Sequence, residues 1–173
     1  MNLIPSPDEC LTLLKKVGCS EKVIEHCKAV RDVAVKIARK TNADLELVEA
    51  GALLHDIGRS KTHGIRHAVE GAKIAKKIGL PEEIVNIIER HIGAGLSKDE
   101  AKKLGLPAKD YIPETLEEKI VCHADNLVDN NKKQKIEVEV ERALSKNLKK
   151  YTLRLVNLHK ELSELCGIEL NDI

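Results

Sequence analysis

Aromatic residues are almost missing from this chain of 173 residues, which has two tyrosines, Tyr111 and Tyr151, and no phenylalanine or tryptophan. Proteins that bind single-stranded nucleic acid usually stack the bases on aromatic rings, and such a surface is hard to build here. The net charge of +1 gives no overall field that would attract nucleic acid. The composition therefore gives no strong signal for a nucleic-acid partner.

Long hydrophobic runs are missing as well. No apolar stretch approaches the roughly 18 residues that a membrane-spanning helix needs. The first residues, Met1-Asn-Leu-Ile-Pro5, lack the basic region and apolar core of a secretory signal. We therefore expect a cytoplasmic protein without a membrane partner. With 42% hydrophobic and 33% charged residues, the chain has the composition and length of one folded domain with a sizeable core.

The cysteines are few and scattered, and no two have CxxC spacing; they are Cys10, Cys19, Cys27, Cys122 and Cys166. This odd, isolated set argues against a disulfide framework and against a structural zinc knuckle. We interpret the cysteines as small buried thiols. A ligand or redox role stays open for Cys27 and Cys122, which lie near candidate metal ligands.

Helix signals, by contrast, run through almost the whole sequence. The start and stop residues predict helices from Ser6 to Gly18, Ser20 to about Lys40, Asp44 to Gly58, about 65–78, Pro81 to near Gly93, about 97–104, 114–129 and about 135–165. Residues 105–113 are expected to form a loop, and only Ile136–Val140 alternates in the way a strand does. The chain is therefore predicted to be all-α, with a core over 20–130 and a long C-terminal helix.

The predicted C-terminal helix carries an apolar stripe at near-heptad spacing, formed by Val140, Leu144, Leu148, Tyr151, Leu155, Leu158, Leu162 and Leu165. Such a stripe needs a partner surface. It either docks on the domain or pairs two copies into a homodimer.

The adjacent pair His55-Asp56, in the segment Gly51-Ala-Leu-Leu-His-Asp-Ile-Gly58, is the strongest functional signal. A buried histidine and a buried carboxylate need a partner, and a divalent metal ion is a suitable one. Four more polar residues share a helix stripe with apolar residues and are expected to point inward: His26, His67, His91 and Asp125. His123 lies about 200° around its helix from Asp125, so a surface or supporting role is expected for it and for His159.

The order His, His-Asp, His, His, Asp resembles the HD superfamily of metal-dependent phosphohydrolases. His67-Ala-Val-Glu-Gly71-Ala and Glu89-Arg-His-Ile-Gly-Ala94 are similar to segments of the dinuclear bacterial hydrolases of diadenosine tetraphosphate. Overall, including the segment Arg59-Ser-Lys-Thr-His63-Gly-Ile, the chain resembles small, mostly archaeal HD proteins without an assigned activity. The His91 region lacks the His-His-Glu and Gly-Tyr-Pro elements of the branch that degrades cyclic-di-GMP, so that activity is not expected.

The resemblance implies that His26, His55, Asp56 and Asp125 bind one divalent metal and that Asp56, His67 and His91 bind a second. His63 stays an alternative to His67. Histidine, aspartate and water suit Fe, Mn, Co or Zn.

The implied activity is hydrolysis of a nucleotide or another phosphate ester by a metal-activated hydroxide, with Asp56 and His55 at its centre. Four cations close in sequence to the ligands are candidate phosphate contacts: Arg59, Lys61, Arg66 and Arg90. The alternatives are a metal-stabilised helical sensor or scaffold without catalysis, and a di-iron HD oxygenase.

Overall fold

The computed structural model describes residues 3–173, and its regular structure is mainly helical. The elements in chain order are α1 (Pro7–Val17), α2 (Glu21–Ala38), α3 (Leu45–Leu54), a 3₁₀ helix (Ile57–Ser60), α4 (His67–Ile78), α5 (Glu82–Glu89), α6 (Lys98–Lys103), α7 (Leu116–Asn126), β1 (Val128–Asp129), β2 (Lys132–Lys133), α8 (Ile136–Ser145), α9 (Lys149–Cys166) and a short 3₁₀ helix (Leu170–Asp172). The all-α prediction is confirmed. Within the described residues, no helix has both the length and the apolarity that crossing a bilayer requires.

Helix starts follow the capping signals of the sequence. Ser6 Oγ accepts a hydrogen bond from the Glu9 backbone N–H, and Glu9 Oε1 accepts one from the Ser6 backbone N–H, which completes a capping box. Ser20, Asp44 and Thr115 accept in the same way at the starts of α2, α3 and α7. These side chains satisfy backbone donors that have no partner within the helix.

Two predictions of helix length are wrong near the candidate site. The third helix ends at Leu54, and the chain then turns into the 3₁₀ helix instead of continuing to Gly58. The seventh ends at Asn126, and a two-stranded antiparallel hairpin follows, in which Val128 pairs with Lys133. Its turn places Asn130 at a φ of 56°, a left-handed conformation that asparagine tolerates better than most residues.

The C-terminal helix predicted over about 135–165 is two helices, α8 and α9. Asn147 has a φ of 58°, and this left-handed residue ends the first helix before the second begins. The break divides the apolar stripe. Its middle part, including Leu155 and Leu162, is fully buried, whereas Leu144 is 56% and Leu148 45% exposed.

The core lies between α2, α3, α5 and α7, and it positions the candidate ligands. Helix α2 packs on α3 and α7, and α4 packs on α5 and on the first 3₁₀ helix. A smaller cluster, which includes Val69, Leu96 and Tyr111, lies under the loop 105–113. Tyr111, one of the two aromatic residues, is therefore a core residue, and its hydroxyl donates to the Pro107 carbonyl at 3.0 Å.

Candidate metal centre

Five segments bring six polar side chains to one place beside the core. The histidines and aspartates are those singled out from the sequence: His26 on α2, His55 and Asp56 directly after α3, His67 at the start of α4, His91 after α5, and Asp125 on α7. His55, Asp56, His67 and His91 are at most 6% exposed. His63 lies at the cavity but outside these groups, so the structure places His67, rather than His63, in the cluster.

The six residues form two neighbouring groups. Ligand atoms of His26, His55 and Asp125 lie within 4.8 Å of one another, and so do those of Asp56, His67 and His91.

Asp56 faces both groups. Its Oδ2 lies 3.5 Å from His26 Nε2 and 3.5 Å from His55 Nε2. Its Oδ1 lies 3.3 Å from His67 Nε2 and 3.2 Å from His91 Nε2. One carboxylate therefore has an oxygen for each group.

Backbone carbonyls orient all four imidazoles. The Nδ1 atoms of His55, His67 and His91 lie 2.6–2.8 Å from the carbonyl oxygens three residues earlier in the chain. His26 Nδ1 lies 2.5 Å from the carbonyl oxygen of Asn130 in the hairpin turn. A carbonyl can only accept, so each Nδ1 carries the proton and each Nε2 lone pair is directed at the cluster. This arrangement is typical of metal-binding histidines.

Buried atoms without a partner indicate what the cluster lacks. Within residues 3–173, His55 Nε2 and Asp56 Oδ1 are buried and make no hydrogen bond. His67 Nε2 and His91 Nε2 lie 3.0 Å apart although neither has a free proton in the tautomer that the carbonyls impose. Lone pairs at these distances repel one another, and unsatisfied buried polar atoms are costly. The donor set fits divalent cations, which would satisfy all of these atoms.

The pKa values of His55 and Asp56 are shifted by the same crowding of imidazoles and carboxylates. Burial lowers the pKa of His55, but the Asp56 and Asp125 carboxylates leave it well above its ordinary value. Burial raises the pKa of Asp56, whereas the imidazoles of His55, His67 and His91 bring it well below the usual range. The carboxylates thus favour positive charge at His55, where a proton and a metal ion compete for Nε2, whereas burial lowers the pKa of His91.

A close backbone contact sets the spacing of the second group. A Cβ placed on Gly58 would lie 1.7 Å from the His67 carbonyl oxygen and 2.6 Å from the Gly71 nitrogen. Only glycine allows the first 3₁₀ helix to approach α4 this closely. Gly58 thereby holds Asp56, two residues earlier, near His67.

The cluster opens into a cavity of about 580 Å³. Four carboxylates line it, those of Asp56, Asp125, Asp129 and Glu139. Three cationic side chains also line it, those of Lys22, Arg59 and Arg142. The side chains alone therefore give this cavity no excess of positive charge. Bound divalent ions would reverse that balance and make the cavity attract anions.

Of the four cations expected to contact phosphate, the structure places Arg59 at the cavity. Its Nε donates to Asp56 Oδ2 at 3.1 Å, and its Nη1 donates to the His63 carbonyl at 3.0 Å. The other three do not line the cavity. Arg66 donates to the Gly105 carbonyl, and Arg90 donates to Glu118 Oε1 at 2.8 Å. Contact of Lys61, Arg66 or Arg90 with a bound phosphate therefore stays a prediction, whereas Arg59 already lies at the cavity.

Three cavity residues were not expected from the sequence: Lys22, Arg142 and Tyr151. Lys22 could have been recognised from the sequence, because it lies one helical turn before the candidate ligand His26 on α2. Arg142 and Tyr151 come from α8 and α9, and their approach to the cavity depends on the break between those helices.

The expectation of a surface role for His123 and His159 is wrong, since both are buried. His123 Nε2 lies 2.8 Å from His159 Nδ1, and this pair joins α7 to α9. His159 Nε2 in turn contacts Glu169. Burial lowers the pKa of His123 to about 3, so it is a neutral partner.

The Cys27 thiol lies within 4.8 Å of ligand atoms of His55 and Asp56, and these three residues form a third group that could hold a metal ion. Cys27 is fully buried, and burial raises the pKa of its thiol. Cys122 donates its thiol proton to the Gly93 carbonyl at 3.0 Å. The contact of Cys122 agrees with its interpretation as a buried thiol, whereas the position of Cys27 keeps its ligand role open.

Comparisons with known proteins cover most of the chain. A protein of Thermoplasma volcanium named tRNA (cytidine(56)-2'-O)-methyltransferase is 49% identical over 173 residues, which are 100% of this chain and 51% of that protein. An uncharacterised protein of Methanocaldococcus jannaschii is 48% identical over 170 residues, which are 95% of this chain and 94% of that protein. The chain thus spans about half the length of the first relative and nearly all of the second.

More distant similarities concern a part of the chain or the fold alone. Ribonuclease Y of Cutibacterium acnes is 35% identical over 79 residues, which are 44% of this chain and 15% of that protein. The crystal structure of the HD domain of the L. monocytogenes phosphodiesterase PgpH has a TM-score of 0.62 and 21% identity, and the match covers 92% of this chain and 95% of that one. The same domain has been solved in complex with cyclic-di-AMP, with a TM-score of 0.57 and 20% identity.

A model of the HD domain matches residues 23–130, the part of the chain that contains all six clustered residues. The chain belongs to the HD-domain family.

Proposed function

We propose that this protein is a metal-dependent phosphohydrolase that acts on a phosphodiester of a nucleotide. The observation that carries the proposal is the cluster of four Nε2 lone pairs and two carboxylates at the floor of an open cavity. His26, His55, Asp56 and Asp125 would hold one divalent ion, and Asp56, His67 and His91 a second. The metal is Fe, Mn, Co or Zn, which all accept this donor set.

When bound, the two ions would lower the pKa of water and neutralise the oxygens of a phosphate. The protein's own residues orient the site. Asp56 offers one oxygen to each group, and Arg59 holds that carboxylate through Oδ2. Arg59 retains Nη2 without a hydrogen bond to the described residues, and this atom can donate to a phosphate oxygen.

The names of several relatives support a nucleotide as the substrate. PgpH is a phosphodiesterase whose HD domain was solved with cyclic-di-AMP. Two further matches are named for RNA, as a ribonuclease and a tRNA methyltransferase. The apolar part of the cavity, formed by side chains such as Val23, Ile65 and Ile92, suits the non-phosphate part of such a molecule. The similarity to diadenosine tetraphosphate hydrolases stays a prediction about the substrate.

Metal analysis and a hydrolysis screen test the proposal together. Purified protein loaded separately with each metal is offered dinucleotides, cyclic dinucleotides, dinucleoside polyphosphates and bis(p-nitrophenyl) phosphate. We expect two metal ions per chain and hydrolysis that EDTA abolishes. His67→Ala and His91→Ala should each lower the metal content toward one. Two ions retained by both variants would contradict the second metal site.

Asp56→Ala tests the shared carboxylate. We expect at least about a hundredfold loss of hydrolysis, because each cation loses an oxygen ligand and cation stabilisation of the transition state contributes several kcal/mol. Asp129→Ala is the matched control, since Asp129 lines the cavity outside both groups. An active Asp56→Ala variant would refute the mechanism.

The two alternatives predict different outcomes of the same screen. A metal-stabilised sensor or scaffold binds metal tightly and turns over no phosphate ester. A di-iron oxygenase consumes O₂ and needs it for product formation. Hydrolysis that proceeds at the same rate without O₂ would exclude both.

A further inference from the structure

The C-terminal helices, outside the segment that matches the HD-domain model, form one wall of the cavity. Glu139 and Arg142 come from α8, and Tyr151 comes from the first turn of α9. This wall is therefore a feature of the chain beyond its HD core. It faces the metal centre, so it can contact the part of a substrate that the core does not hold.

Glu139 and Arg142 already have partners. Arg142 Nη1 donates to Glu139 Oε1 at 2.7 Å, and Gln134 Nε2 donates to the same oxygen at 3.1 Å. The carboxylate and the guanidinium largely neutralise each other. Neither group is a strong candidate for selecting a ligand.

Tyr151 differs from them. Its ring lines the cavity, and its hydroxyl makes no hydrogen bond to any residue from 3 to 173. Tyr151 is only partly buried, and its hydroxyl is open to the cavity, so a ligand there can reach it. A phenylalanine would fill the same apolar space, so packing alone does not account for the hydroxyl.

The backbone brings this hydroxyl close to the metal centre. Gly93 lies two residues after His91, and a Cβ on it would be 1.9 Å from the Tyr151 oxygen. The Gly93 carbonyl accepts from Asn126 Nδ2 at 2.9 Å, and Asn126 directly follows Asp125. The tyrosine thus lies against a glycine that two ligand segments hold. Burial and nearby carboxylates raise the pKa of Tyr151, so its hydroxyl keeps its proton and can donate.

We propose that Tyr151 is a specificity-determining residue whose hydroxyl hydrogen-bonds the nucleoside part of a nucleoside phosphate while the phosphate lies at the metal centre. This inference rests on the proposed function for the position of the phosphate. The cavity volume of about 580 Å³ lies within the usual range for sites that hold small organic ligands and leaves space beyond the phosphate. The Tyr151 ring and the apolar side chains of Ile65 and Ile92 supply the surface that a nucleoside would cover.

Binding of two non-hydrolysable probes tests this assignment without relying on turnover. Titration calorimetry compares adenosine 5′-methylenephosphonate with methylphosphonate on the Mn²⁺-loaded protein. The wild type should bind the nucleoside probe more tightly. Tyr151→Phe should weaken binding of that probe about five- to tenfold, the range of one lost hydrogen bond, and should leave methylphosphonate binding within about twofold.

Tyr111→Phe is the matched control, because the Tyr111 hydroxyl donates to Pro107 away from the cavity. It should leave both affinities unchanged. Metal content and melting temperature, measured on every variant, show whether Tyr151→Phe remains folded and loaded.

Three results would overturn the assignment: equal binding of the two probes by the wild type, unchanged nucleoside binding by Tyr151→Phe, or equal loss of both probes in that variant. The last result would mean that Tyr151 acts through the metal centre. A wild type that binds the nucleoside probe through Tyr151 but hydrolyses no phosphodiester would refute the proposed function and leave this inference standing.

Discussion

Replacing Gly58 by alanine tests whether the metal centre depends on the backbone contact between the first 3₁₀ helix and α4. The new Cβ would lie 1.7 Å from the His67 carbonyl oxygen, whereas ordinary contacts of a Cβ begin at about 3.4 Å. The two segments must therefore separate by about 1.7 Å, the difference between these distances. The nearest atoms belong to the backbone of His67 and Gly71, so no side-chain rotation can relieve the clash.

A separation of that size exceeds what a metal site tolerates. Ligand distances in such sites vary by about 0.2 Å, and functional geometries hold within about 0.5 Å. Asp56 and His67 lie on opposite sides of the contact, so the group that they form with His91 should lose its ion. The first ion would also be held by Asp56, but its other three ligands, His26, His55 and Asp125, lie on segments outside this contact, so it should be retained.

The expected cost in folding free energy is that of over-packing, about 1–3 kcal/mol. For a chain of this length, that lowers the melting temperature by roughly 2–4 °C per kcal/mol. Elemental analysis after loading should fall from two metal ions per chain toward one, and hydrolysis should fall with it.

Gly64→Ala is the control, because its Cβ would meet Thr62 Oγ1 at an ordinary 3.5 Å and would leave intact the carbonyl that orients His67. A Gly58→Ala protein that keeps two ions and full activity would refute the reasoning. If that variant does not fold, Gly71→Ala is a milder test, since its Cβ would lie 3.1 Å from the Gly58 nitrogen and 2.8 Å from Ile88 Cγ2, a side-chain atom that can move.

Two further predictions concern stability and association. Burial raises the pKa of Cys10 to about 12 from a usual value near 9.0. As the pH rises above 9.0, the unfolded chain therefore loses a thiol proton that the native protein keeps, and the native state loses stability. Cys10→Ala lacks this effect, so urea unfolding should show a stability gap to the wild type that narrows between about pH 8 and pH 11; a constant gap would contradict the buried thiol. The exposed side chains of Leu144 and Leu148 keep the homodimer prediction open. Light scattering should give twice the 19.2 kDa monomer mass for the wild type and the monomer mass for the double variant Leu144→Asp/Leu148→Asp. A monomeric wild type would contradict the homodimer prediction.

The helical architecture could be predicted because its signals are local. Ser6, Ser20 and Asp44 are capping residues whose hydrogen bonds depend only on the next three residues. The gathering of six polar residues could also be predicted, because four of them share an apolar stripe in the sequence pattern and the other two form the pair His55-Asp56 in an apolar segment. The spacing of the two groups depends on Gly58 and Gly71, which meet across the fold, so no local pattern indicates that contact.

The cavity wall could not be predicted for a different reason. The apolar repeat over 140–165 predicts a continuous helix, and Asn147 is an ordinary residue within that pattern. In the structure, Asn147 takes a left-handed conformation and the second half of the repeat turns toward the core. Tyr151 then reaches the cavity, while Leu148 remains 45% exposed. The apolar repeat shows which residues are apolar, but it does not show which surface each of them contacts.

The orientation of the ligand histidines depends both on local helix ends and on contacts across the fold. His55 follows α3 directly, and His91 lies two residues after the end of α5. Each donates its Nδ1 proton to the carbonyl three residues earlier, at Ala52 or Ile88, where a helix end leaves carbonyls without partners. The same contact thus satisfies a helix terminus and fixes the tautomer that directs Nε2 at the metal centre. A glycine follows each histidine within three residues, Gly58 after His55 and Gly93 after His91. The sequence pattern carries both helices on to these glycines, so the helix end that creates the carbonyl contact is seen only in the structure.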